Sequence, residues 1–87
     1  MEIIILDSAY KHGISRQSII HCLFSFINDR VLNVQPLKHL LVGFDNLGNA
    51  LEIVAIEDVE KNRLVVIHAM KLRKKFYYLL EGSGYEL

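Results

Sequence analysis

The chain has 87 residues, 52% of them hydrophobic, with ten basic and ten acidic side chains and a formal net charge of zero. That length makes one domain near the lower limit of unaided folding, and the apolar share excludes a disordered chain. Neutrality counts against a dedicated nucleic-acid binder, which is basic overall, and the single cysteine, Cys22, excludes an intrachain disulfide and suits a reducing cytoplasm.

In chain order, residues 2–6 are β-branched and lack a basic flank, so they read as a strand and not as a targeting segment. Asp7 and Ser8 can open a brief helical turn through Ala9, Tyr10 and Lys11, which Gly13 ends. Ser15 is a good N-cap for a helix over residues 16–28. There Ile19, Ile20, Leu23, Phe24 and Ile27 share one face, and Ser18, His21, Ser25 and Asn28 share the other.

The pattern then turns to strands. Residues 31–35 make one, stopped by Pro36 and so placed at an edge; residues 39–44 make a second, with Leu40, Val42 and Phe44 on one side. The turn formers from Asp45 to Asn49 lead into a third strand over 50–57, and residues 63–70 read as a fourth, inner strand. A final helix is expected from Lys71 or Leu72 to Leu80, followed by a mobile tail at 82–87. The expected fold is therefore α+β within one domain over 1–87. It has a short N-terminal strand and two helices, an antiparallel β-meander of about four strands, and a C-terminal helix. No apolar run approaches the roughly 20 residues needed to span a bilayer.

The chain has no P-loop, no glycine-rich dinucleotide turn and no Cys/His pair at zinc spacing, so neither a metal nor a cofactor is expected. Cys22 reads as a small core residue. His68 follows Leu64 and Val66 at period two, which places it on their face near a strand end. An imidazole with a pKa near ~6.5 suits proton transfer there. A half-buried histidine bonded to a carbonyl is the plainer alternative. Between Lys61 and Lys75 lie six basic residues and no acidic one. Lys71, Arg73, Lys74 and Lys75 fall in the first turn of the expected helix, where cations oppose the macrodipole; with free amide N–H groups they would make an anion site. A solvated helix face is the alternative. Lys11 and His12, on the turn before Gly13, form a second candidate cluster.

Two segments together resemble the BrnT-type toxins, small RelE-superfamily ribonucleases of bacterial toxin–antitoxin pairs. Lys11-His12-Gly13-Ile14-Ser15 with its following helix resembles their KHG segment, and Val66-Ile67-His68-Ala69-Met70-Lys71 resembles their last strand running into a basic helix. The resemblance implies metal-independent RNA cleavage, with the 2′-OH attacking the adjacent phosphate. By position it implies Lys11 and His12, from the KHG segment, and Lys71, just after the last strand. With the readings above, the catalytic candidates are His68, His12 and Lys71, and the phosphate-binding ones Lys11, Arg73, Lys74 and Lys75. RNA and an antitoxin protein are the implied partners. The pattern departs at Met70, where the family has an arginine. The neutral total charge and high apolar content support an alternative: a non-catalytic protein-interaction domain on the same fold, a degenerate toxin homologue, or a homodimerisation module.

Overall fold

The computed structural model describes residues 1–81. The tail from Gly82 onward, expected to be mobile, lies outside them. Five strands form one mixed sheet in the order β1-β5-β4-β3-β2: β1 (Glu2–Ile5), β2 (Asn28–Val34), β3 (Leu37–Phe44), β4 (Ala50–Asp58) and β5 (Arg63–Lys71). Strands β2 to β5 pair antiparallel, and β1 joins β5 in parallel, with Glu2 opposite Arg63 and Ile5 opposite Val66. Helix α1 (Arg16–Phe24) lies on one sheet face, and a 3₁₀ segment, Lys74–Glu81, lies on the other. The α+β class expected from the sequence is the class observed.

Each sheet face has its own apolar cluster. On the α1 side Ile19, Cys22 and Leu23 pack with Leu41, Leu51, Ile53, Ala55, Val66 and Ala69. On the far side Leu40 and Val42 meet Leu72 and Leu79, with Val54, Phe76 and Leu80 around them. A fully buried side chain of this size contributes roughly 1.5–3 kcal/mol. The α1-side cluster, with ten buried members against four, is the main source of stability.

The local structure follows residue chemistry closely. Ser15 caps α1, its hydroxyl oxygen accepting from the Ser18 N–H at 3.1 Å. Gly13 takes a φ of +79°, the left-handed conformation that closes the 3₁₀ turn at Asp7–Tyr10. Helix α1 ends at Phe24, four residues before the expected end. The Ser25 hydroxyl donates to the His21 carbonyl at 2.8 Å, and the Ile27 N–H already donates to Val42 in the sheet. Phe24 is therefore 76% exposed, not packed as the periodicity predicted, and Ser18 is buried, not solvated.

The connection after α1 runs so close to β3 that only glycine fits at position 43. A Cβ there would stand 2.9 Å from the Phe26 Cα and 3.3 Å from the Cys22 Sγ. Gly43→Ala is expected to lower stability by about 1–3 kcal/mol, read as a shifted urea midpoint with unchanged slope. A wild-type midpoint in this variant would mean that the contact is soft.

One polar cluster binds three strands together. His39 on β3 sits between Asp29 on β2, at 2.8 Å from its Nδ1, and Glu57 on β4, at 2.9 Å from its Nε2. Burial disfavours the charged ring, but hydrogen bonds and charge from both carboxylates outweigh it and raise the His39 pKa. Because the folded-state pKa is the higher one, the stabilisation is complete below the unfolded value of about 6.5 and fades as pH rises through the folded value. Denaturation midpoints should therefore fall as pH climbs above about 6.5, and His39→Gln should flatten that slope. A slope that survives the substitution would assign it to another group.

Candidate functional site

The site grows out of an irregularity in β5. Val66 pairs with Ala55 and His68 with Val54, so Ile67 is one extra residue on β5. Such a bulge reverses the side-chain alternation beyond it. His68 consequently leaves the face of Leu64 and Val66, where period-two counting put it, and points to the far side of the sheet. The bulged residue is held from outside: the Ser8 hydroxyl donates to the Ile67 carbonyl at 2.9 Å, and the Leu6 N–H donates to the Val66 carbonyl at 3.0 Å.

On that far side His68 meets Glu52 of β4, a residue the sequence reading did not single out. Glu52 is fully buried. Its carboxylate lies 3.0 Å from the His68 Nε2 and accepts from Arg73 three times over, through the backbone N–H at 3.1 Å, Nε at 3.1 Å and Nη2 at 2.6 Å. Burial alone would raise the Glu52 pKa, but the hydrogen bonds from Arg73 and His68 prevail and lower it; Glu52 in turn raises that of Arg73. An ionised Glu52 calls for a proton on the His68 Nε2, so that in the neutral ring Nδ1 is the lone-pair nitrogen. His68 Nδ1 makes no hydrogen bond to another described residue.

His12 completes the group. Its ring stands edge-on to that of His68, with centroids 5.6 Å apart and planes at 76°. The 3₁₀ turn at Asp7–Tyr10 lies against β5 past the end of β1, and the turn that follows it carries His12 to the sheet margin. Histidines 56 positions apart in the chain thus become neighbours, and Lys11 lies beside His12 in sequence, exposed.

The other expected site residues fare differently. Lys71 belongs to β5, opposite Leu51, and so projects from the α1 side, away from the face of His68. Lys75 rests over the Phe76 ring at 5.1 Å, and no described contact ties Lys74 to the histidines. The final helix starts at Lys74, not at Lys71 or Leu72, and it is a 3₁₀ segment. The Arg73 N–H that would have served an incoming anion is already bonded to Glu52. An anion site at this terminus, expected from the cation run, would therefore start no earlier than Lys74 and lack the Arg73 N–H. Met70, opposite Glu52, lies on the His68 face where the family resemblance has arginine, and Arg73 reaches the same carboxylate from three residues later.

Glu52 did leave a sequence signal. In Leu51-Glu52-Ile53-Val54 a single carboxylate interrupts an apolar strand, and a charge in such a setting requires a buried partner. A depression of about 630 Å³ beside α1, bordered by Arg16, Gln17, Ile20, His21 and Asn46, does not include the histidine pair. His12 is exposed and His68 is half-buried. Among the described residues no group of three or more His, Cys, Asp or Glu side chains is arranged to hold a metal ion, and no helix is long and apolar enough to cross a membrane. No family model, no curated protein and no solved structure matches the chain significantly.

Arg73→Ala removes the main partner of a buried carboxylate. The expected result is a lower thermal midpoint. Glu52 has a depressed folded-state pKa, so its stabilisation is present above the unfolded value of about 4.5 and is lost as pH falls through the folded value. In the variant that acid-side loss should begin at higher pH. Identical acid unfolding in the two proteins would deny Arg73 this role.

Proposed function

We propose that the chain is a metal-independent ribonuclease of the toxin type, acting through His12 and His68. The observation that carries the reading is the His12–His68 ring contact backed by a buried carboxylate, Glu52, on the far side of His68. Two imidazoles side by side suit a reaction that needs a base and an acid at neighbouring oxygens. His68, with its proton fixed on Nε2, takes the proton of a 2′-OH through Nδ1. The 2′-oxygen then attacks the adjacent phosphorus, forming a 2′,3′-cyclic phosphate. His12 delivers a proton to the departing 5′-oxygen, so that bond making and bond breaking are each matched by a proton transfer. Lys11 and the Arg73 Nη1, which is not engaged by Glu52, offer positive charge to the phosphate oxygens as they gain charge. The exposure of His12 suits a polymer passing over the surface better than a small enclosed substrate.

The resemblance of the Lys11-His12-Gly13 segment and the last strand to toxin ribonucleases supports the same reading, and with it an antitoxin as the protein partner. A second reading, a non-catalytic interaction domain on this fold, draws on one observation: the Arg73 fork is largely occupied by Glu52.

The deciding measurement is cleavage of a single-stranded RNA by purified protein in excess chelator. The expected products carry 2′,3′-cyclic phosphates, and an all-deoxy strand should remain intact. His68→Ala and His12→Ala should each lower the rate by roughly 10²- to 10⁴-fold, while Lys74→Ala should change it little. A wild-type protein inert on RNA would rule out the enzyme and leave the interaction domain.

A further inference from the structure

The two edges of the sheet are unequal. At the β1 edge the strand is only four residues long, and beyond it the outer side of β5 is closed by the Leu6 N–H and the Ser8 hydroxyl. At the other edge β2 is seven residues long and, among the described residues, pairs only with β3. It contains no lysine and no proline, two of the guards of a free edge. Instead Val31, Leu32 and Val34 stand 53%, 50% and 79% exposed. A row of unpaired backbone groups flanked by apolar side chains fits an extended strand.

We infer that this strand is the β2 of a second copy, giving a two-fold dimer with one continuous ten-stranded sheet. Growth favours the β2 side, because β1 offers a strand of only four residues and β5 beyond it is already bonded to Leu6 and Ser8. Pairing β2 with β2 therefore ends in a closed pair and not in a filament.

The side-chain register supports self-pairing. In β2 the residue opposite Leu40, Arg30, and the residue opposite Lys38, Asn33, share the far face; Asp29 and Val34, opposite Leu41 and Leu37, share the α1 face. The irregularity between Val31 and Asn33 separates the two runs by an odd step. An antiparallel two-fold pairing centred between Val31 and Leu32 then sets Arg30 against Asn33 of the partner copy, and Asp29 against Val34 of the partner copy. Faces match at both of these pairs and no like charges meet. Pairings centred on residue 29 or 30 set two aspartates or two arginines face to face, which disfavours them. The bulge thus selects a register. Asp29 and Arg30 are the only charged residues of β2, and the chain's net charge is zero, so two copies approach without repulsion.

The test is sedimentation of the full chain over a concentration series, with backbone amide exchange followed at the same concentrations. The expected result is a mass of twice 10.0 kDa, with protection of residues 29–34 that grows with concentration. Leu32→Lys, at a half-exposed position, should weaken the dimer at least tenfold and leave the far-UV spectrum unchanged. Leu47→Lys, on the exposed β3–β4 turn, should leave the dimer intact. A chain that stays monomeric at tens of micromolar overturns the proposal, including the case in which β2 serves a different protein. So does a dimer whose protection falls elsewhere or that Leu32→Lys leaves untouched. None of these readouts depends on RNA cleavage.

Discussion

The Glu52 carboxylate is the interaction on which the second face of this protein is built. A carboxylate with no solvent exposure is tolerated only when its oxygens are filled by donors, and Arg73 and His68 fill them. Arg73 is thereby fixed where β5 ends. Leu72 just before it and Leu79 farther on are then held over Leu40 and Val42. His68 is fixed as well, with its proton directed at Glu52 and its other nitrogen released outward. One charged atom group therefore anchors the C-terminal segment and sets the chemical state of a surface histidine. Replacing the cluster by apolar residues of similar volume could keep the fold, but it would remove the tautomer control.

The Ile67 bulge matters in a different way. Without it His68 would turn to the α1 side, away from Glu52, and would displace an aliphatic side chain there. With it, one extra residue moves the ring to the other face, and the same displacement presents a carbonyl to Ser8. The N-terminal turn that carries His12 is thus attached at the position where the strand is irregular. The two halves of the histidine pair share a single structural cause.

Much of this fold was legible in the sequence because the strands of the meander are long and separated by strong turn formers. The cap at Ser15 and the end at Gly13 were legible for the same reason: each is a local rule satisfied by one residue type. What escaped was set by tertiary geometry. The end of α1 depends on the approach of Phe26 to Gly43, which periodicity does not report, and residues 25–28 keep a helical pattern although the chain there joins the sheet. The side of His68 depends on a bulge that counting by twos cannot detect. Lys71 continues β5, although its place beside the cation run reads as the first turn of a helix. Within the cation run, three or four residues looked interchangeable, and only the lone Glu52 across the sheet distinguishes Arg73 from its neighbours.

The pairing of β1 with β5 has a consequence for assembly. Glu2 meets Arg63 across a span that contains β2, β3 and β4, whereas β2 through β5 each meet a neighbour in sequence. Closing so long a loop carries an entropic cost that hairpins avoid, so the contact that brings the first turn onto β5 depends on strands that must already be in place. On a ribosome His12 emerges long before its counterpart on β5 exists, and the two imidazoles can meet only after the whole sheet has been synthesised. The chemistry suggested by their meeting is withheld from every shorter nascent chain.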